Sequence, residues 1–142
     1  MGCRTYFREG GLVVPKTGTT LEEMRQALST HLDRYESLED LLGEVALGLG
    51  PLNPDVIDVR ALPDNPERVV LEGDYEDDLG PRRIAYLEEA LKVIAPFVEP
   101  LPNTYLTYSD DEGACWRYIV RDGVLMTVYG EIVYDEAKAE AV

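Results

Sequence analysis

Apolar positions along the chain switch between two periods. Cys3 to Phe7 and Leu12 to Val14 are short apolar β runs on either side of Gly10-Gly11, a pattern that predicts one bulged strand or a tight hairpin. Pro15 to Gly18 ends this element. Thr20-Leu21-Glu22-Glu23 is a capping box, in which the threonine oxygen accepts from an orphan N–H and the glutamate reaches back. Leu21, Met24, Leu28, Leu32 and Tyr35 then fall on one helical face. Ser37 predicts a second N-cap, followed by the stripe Leu38, Leu41, Leu42, Val45, Ala46 and Leu49. Gly48, Gly50 and Pro51 stop that helix.

Past the loop at 51–55 the period becomes two. Val56 to Leu62 places Ile57, Val59 and Ala61 on one face and Asp58 and Arg60 on the other, a half-buried strand. Pro63-Asp64-Asn65-Pro66-Glu67 is turn chemistry, and Arg68 to Tyr75 resumes a strand with Val69 and Leu71 inward. Pro81 suits a first helical position, where its missing N–H costs nothing. Ile84, Leu87, Leu91, Ile94 and Val98 mark the buried face of a third helix, ended or kinked at Pro96.

The last third is β. Thr104 to Tyr108 reads as a strand and Ser109 to Gly113 as an acidic loop. Cys115 to Arg121 and Val124 to Tyr129 flank Asp122-Gly123, a strong two-residue hairpin signal. That turn pairs Arg121 with Val124 and Trp116 with Tyr129. One face then carries Trp116, Tyr118, Val120, Leu125, Thr127 and Tyr129; the other carries Cys115, Arg117, Ile119, Met126 and Val128. Both faces are largely apolar, so the hairpin is expected to be central or covered on both sides. Gly130 marks a bulge before Ile132 to Tyr134, and 136–142 reads as a frayed tail. With the two early helices as one layer, the order predicts an α+β single domain over residues 1–142. Its expected form is a ferredoxin-like split βαβ antiparallel sheet, helices on one face, with an added C-terminal β-hairpin.

Charge narrows the function classes. The chain has 142 residues, with 28 acidic against 13 basic, and a formal net charge of −15. Hydrophobic residues make up 45%, too many for a disordered acidic tail. Direct nucleic-acid binding is not expected, because it needs positive patches to neutralise phosphate. Anionic membrane surfaces repel such a chain too, and no run of about 18 apolar residues spans a bilayer. Met1 to Arg8 has no apolar core of a signal peptide, so a cytoplasmic location is expected. Two cysteines, Cys3 and Cys115, are too few for a disulfide framework.

Most catalytic constellations are missing. The one histidine, His31, lacks a Cys or carboxylate at ligand spacing. No phosphate-cradling glycine motif, H-E-x-x-H or C-x-x-C occurs. No catalytic residue, cofactor or metal is therefore assigned. Carboxylates remain. Glu72, Asp74, Glu76, Asp77 and Asp78 form one acidic stretch, and Asp110, Asp111 and Glu112 another. They could converge on Mg²⁺ or Ca²⁺, which favour oxygen ligands, although the EF-hand ligand order is absent. They could equally act as a surface, joined by Glu36, Glu39, Asp40 and Glu44 at the predicted second helix. Spaced carboxylates imitate duplex phosphates, which carry about one charge per 1.7 Å of axis. Such a surface would enter the positive groove of a nucleic-acid enzyme, with association steered electrostatically. Trp116, Tyr105, Tyr108, Tyr118, Tyr129 and Tyr134 are expected to serve mainly as core and cross-strand pairs.

Two segments carry a resemblance. One is Gly2-Cys3-Arg4-Thr5-Tyr6-Phe7-Arg8-Glu9-Gly10-Gly11-Leu12-Val13-Val14-Pro15. The other is Tyr105-Leu106-Thr107-Tyr108-Ser109-Asp110-Asp111-Glu112 with Trp116-Arg117-Tyr118-Ile119-Val120-Arg121-Asp122-Gly123. Over about a third of the chain they resemble small actinobacterial and phage proteins and, more distantly, the YubB-like ferredoxin-like domain of phages and plasmids. The resemblance implies a ferredoxin-like fold and a bacterial or mobile-element origin, and it brings no catalytic residues.

The expected function is a non-enzymatic acidic protein that inhibits or neutralises a basic, nucleic-acid-handling protein, as a phage counter-defence protein of the DNA-mimic type. An immunity protein against a basic nuclease toxin shares this physics. A carboxylate-based divalent metal-binding protein or enzyme, and a structural subunit of an oligomer, are the competing classes.

Overall fold

A computed structural model of the chain describes residues 4–31, 57–65, 67–76, 78–130, 137, 140 and 141, apart from the side chains of Ser29, His31 and Arg82. The predicted helix after Ser37, with Glu36, Glu39, Asp40 and Glu44, lies outside the described residues. So do Asp77, Cys3, Tyr134, the strand expected at 132–134 and most of the tail. The described fold is α+β. It contains strand β1 (Thr5–Val14), helix α1 (Leu21–His31), strands β2 (Ile57–Ala61), β3 (Val69–Gly73) and β4 (Asp78–Leu79), and helix α2 (Pro81–Ile94). A 3₁₀ turn (Ala95–Phe97) leads to strands β5 (Tyr105–Asp110), β6 (Cys115–Arg121) and β7 (Val124–Gly130).

The strands form an open seven-stranded sheet in the order β2-β3-β1-β5-β6-β7, with β4 also paired to β1. Every pairing is antiparallel. β1 is one strand rather than a hairpin, and its register against β5 shifts between Phe7 and Glu9. Arg8 is the extra residue, so Thr5 and Phe7 before it and Leu12 and Val14 after it all face the core. Gly10 follows at φ +114°, and a Cβ there would stand 1.9 Å from the Tyr105 carbonyl oxygen. No residue with a side chain fits that position.

Both helices start, and α2 stops, as the sequence dictates, while Leu32 and Tyr35 of the first predicted helical face lie outside the described residues. The Glu23 N–H donates to Thr20 Oγ1 at 3.1 Å, half of the expected capping box. Glu22 and Glu23 lie where the helix dipole favours negative charge. Pro81 opens α2, and the 3₁₀ turn containing Pro96 closes it. Met24 and Leu28 of α1 and Leu87, Leu91 and Ile94 of α2 are buried in one cluster with Phe7, Leu12, Leu71, Leu106, Tyr108 and Tyr118. Both helices therefore cover the same face of the sheet. Among the described residues no helix is long and apolar enough to cross a membrane.

The C-terminal hairpin has the predicted register, from Arg121↔Val124 to Trp116↔Tyr129. Asp122 and Gly123 both have positive φ, 52° and 75°, the backbone of a type I′ turn. Its position differs from the expectation. Among the described strands β7 is last in the order, and Val124, Met126 and Val128 on the face away from α1 and α2 are 56%, 44% and 46% exposed. Apolar residues on both faces do not require cover on both; an antiparallel sheet tolerates one solvated face. The strand before the hairpin also runs longer than expected, since Ser109 and Asp110 still pair with β1.

Tyr108 and Tyr118 are both buried, with ring centroids 5.6 Å apart in an edge-to-face contact. The Tyr118 hydroxyl donates to Glu88 Oε2 at 2.8 Å, whereas the buried Tyr108 hydroxyl has no hydrogen-bond partner among the described residues. Burial pushes both phenols well above their ordinary range, and for Tyr118 the bond to Glu88 adds to it. Tyr108→Phe is expected to stabilise the fold by about 1 kcal/mol and Tyr118→Phe to destabilise it by about 1–2 kcal/mol, because an unmet buried hydroxyl costs while a bond to a charged acceptor contributes. Urea denaturation of both variants checks the opposite signs.

Candidate functional site

The first candidate site is the end of the sheet where β1 begins. Thr5 pairs with Leu79 of β4 on one side and with Asp110 of β5 on the other. The chain leaves β3 through Asp74 and Glu76 to reach β4, and leaves β5 through Asp111 and Glu112 to reach β6. Two acidic stretches some thirty residues apart in sequence thus flank one strand, about 10 Å apart at two strand spacings.

Arg4 stands between them. Its carbonyl accepts from the Asp111 N–H at 3.2 Å, and its Nε lies 3.7 Å from Asp78 Oδ2. At that length, and with both side chains largely exposed, the ion pair contributes little. Arg83 also belongs here, donating from Nη1 to the Asp78 carbonyl at 3.3 Å. α2 starts directly after β4, and its first turn brings that side chain back to the loop.

Several carboxylates have local work. Asp74 Oδ1 accepts from the Glu76 N–H at 2.8 Å. Asp110 Oδ1 accepts from the N–H groups of Glu112 and Ala114, both at 2.9 Å. These are Asx turns that shape the two loops. Glu72 takes the Arg60 guanidinium at 3.1 Å across the β2–β3 hairpin. Glu76, Asp111 and Glu112 are exposed. Among the described residues no cationic side chain pairs with them, or with Asp74 or Asp110, within 4.0 Å. Other arginines are held elsewhere. Arg68 is paired with Glu99, and Arg117 with Glu9 at 3.3 Å while lying 3.9 Å over the Tyr105 ring.

The structure adds Asp58 to this group. It stands directly opposite Glu72 in the β2–β3 ladder. Partial burial raises its carboxyl above the ordinary aspartate range, and the charges of Asp74, Glu72 and Glu76 push the same way. The signal was present in the sequence: the alternation that put Asp58 outward also puts it beside Glu72 once the hairpin register is drawn. Among the described residues, no three His, Cys, Asp or Glu side chains are grouped so as to hold a metal ion.

The predicted aromatics divide. Tyr108 and Tyr118 are core, Trp116 packs against it with its ring stacked on Tyr108, and Tyr105 lies on the opposite face under Arg117. Tyr129 is 79% exposed. Comparison of the chain with protein-family models, curated proteins and solved structures gives no match.

A raised aspartate binds its proton more tightly in the folded state than in the unfolded one. The ionised form therefore costs stability at neutral pH, and that cost disappears as pH falls through the raised value to the ordinary one. Asp58→Asn is expected to raise the urea midpoint at pH 7, with the advantage vanishing once the solution is more acidic than the ordinary aspartate range. Denaturation curves across that pH interval test it.

Proposed function

We propose that this is a non-enzymatic, cytoplasmic acidic binding protein that inhibits or neutralises a basic, nucleic-acid-handling protein partner. The observation that supports this most directly is the acidic sheet end. The fold brings Asp74, Glu76, Asp78, Asp110, Asp111 and Glu112 toward the start of β1, with Asp58 and Glu72 further along beside Leu71, which faces Leu12, and among the described residues Glu76, Asp111 and Glu112 pair with no cation. Like charges held together in this way repel one another, and a cationic partner relieves that repulsion on binding. The same field, in a chain of net charge −15, steers a basic partner toward the site. In this reading the carboxylates stand where a duplex would present phosphates, as in a phage counter-defence protein.

We further read the sheet as a ferredoxin-like split βαβ arrangement extended by the β6–β7 hairpin. The order β2-β3-β1-β5 supports it, since each helix-containing connection joins strands that have a third strand between them. In that arrangement the helix face is filled and the loops at the strand ends are left for recognition.

Glu76→Lys, Asp111→Lys and Glu112→Lys together are expected to abolish capture of the partner while leaving the turns at Asp74 and Asp110 intact. Wild-type protein used as bait in lysate of its native host should retain a basic protein at 0.1 M ionic strength, where charges act over about 10 Å, and lose it near 1 M, where they act over about 3 Å. Capture that survives both the triple substitution and high salt would sink the proposal.

A further inference from the structure

A groove of about 200 Å³ lies between α2 and the β6–β7 hairpin, lined by Ile84, Glu88, Trp116, Tyr118, Thr127 and Tyr129. Two periodicities place these side chains. Ile84 and Glu88 are four apart and share one helix face. Trp116 and Tyr118 are two apart on β6, directly opposite Tyr129 and Thr127 on β7. An indole, two phenols and one carboxylate therefore converge beside the first turns of α2.

The groove is built rather than incidental. Trp116 is fixed by its stacking on Tyr108, with centroids 6.4 Å apart and planes at 17°. Tyr118 is buried and holds Glu88 Oε2 at 2.8 Å. A carboxylate has about four acceptor sites, and the single bond from Tyr118 leaves capacity for another donor. Tyr129, 79% exposed, buries almost nothing in the isolated chain.

The lining selects its occupant. An anion is repelled by Glu88 and by the overall charge. A neutral apolar group leaves the remaining acceptor sites of Glu88 unmet and desolvated. An alkylammonium group meets both parts: the aromatic faces attract it and the carboxylate accepts its N–H donors. We propose that this groove takes a lysine side chain of a basic protein partner. That a protein carries the cation rests on the function proposed above; the selectivity of the groove for an alkylammonium group does not.

Trp116 is the single tryptophan of the chain, so its fluorescence reports on the groove directly. The probe is the peptide acetyl-Gly-Gly-Lys-Gly-Gly-amide, titrated at about 0.15 M ionic strength so that distant charges are screened. A saturable fluorescence change is expected, with affinity at least about ten-fold weaker when the lysine is Nε-acetylated, which removes the charge. Tyr129→Ala and Glu88→Gln should each weaken binding about three-fold or more. Tyr129 is exposed, so its variant should melt like the wild type and separate a lost contact from a lost fold. Equal affinity for the acetylated peptide, no saturable change, or unchanged affinity in Tyr129→Ala would overturn the assignment. The Glu76→Lys, Asp111→Lys, Glu112→Lys variant separates the two proposals. In it, peptide binding should persist while partner capture is lost; capture that this variant retains removes the acidic-end reading alone, and wild-type capture without peptide binding removes the groove alone.

Discussion

Phe7 and Leu12 are an odd number of residues apart, so a regular strand would turn one of them away from the core. The extra residue at Arg8 corrects the parity, and Gly10 lets the strand close against Tyr105 immediately afterwards. Much of the sheet depends on that correction. β1 pairs with β5 along most of its length, with β3 through Leu12 to Val14 and with β4 through Thr5 and Tyr6. A β1 without the bulge could serve one half of these neighbours in register, with the other half of its apolar residues in solvent.

The same strand organises the charge. Because β4 and β5 flank its first residues, the acidic segments that follow β3 and β5 end up side by side. The sheet's opposite end is tied differently. Arg68 is paired with Glu99, Glu99 accepts from the Thr17 N–H at 2.7 Å, and Arg68 Nε donates to the Pro15 carbonyl at 3.1 Å. The carboxylate at that end is matched by a cation and a backbone donor, whereas beside β1 Glu76, Asp111 and Glu112 have no cation among the described residues. The imbalance between two ends of one sheet gives a bulk net charge a direction, which net charge alone lacks.

Local signals carried much of the fold. The Thr20 cap, Pro81 at a helix start, the 3₁₀ turn at Pro96 and the Asp122-Gly123 turn each depend on a few neighbouring residues, and each stands where the pattern puts it. The two-residue turn fixed all seven pairs of the β6–β7 ladder, faces included. Less legible was what covers those faces. Met126 and Val128 alternate like core residues, yet they belong to the last described strand of the sheet on the face without α1 and α2. Alternation records which side chains share a face and contains nothing about the layer that meets it. The candidate sites follow the same division. The acidic stretches could be seen as runs of Asp and Glu, whereas the arrival of Asp58 needed the register of β2 on β3, and the contact between Tyr118 and Glu88 needed the packing of α2 on β6.

By itself the sequence determined most of the described helix and strand segments, though not β4, together with the hairpin register and the excess of negative charge, because capping, turn chemistry, periodicity and composition act over a few residues or over none. Only the tertiary structure decided that β1 lies between β3 and β5, that two distant acidic loops share one end of the sheet, and that Glu88 meets Trp116, Tyr118 and Tyr129 in one groove. Those juxtapositions join residues as much as 108 positions apart, as Arg117 and Glu9 are across the sheet's other face. They are set by strand order and by the helices closing over the core, which the residues at either site do not themselves specify.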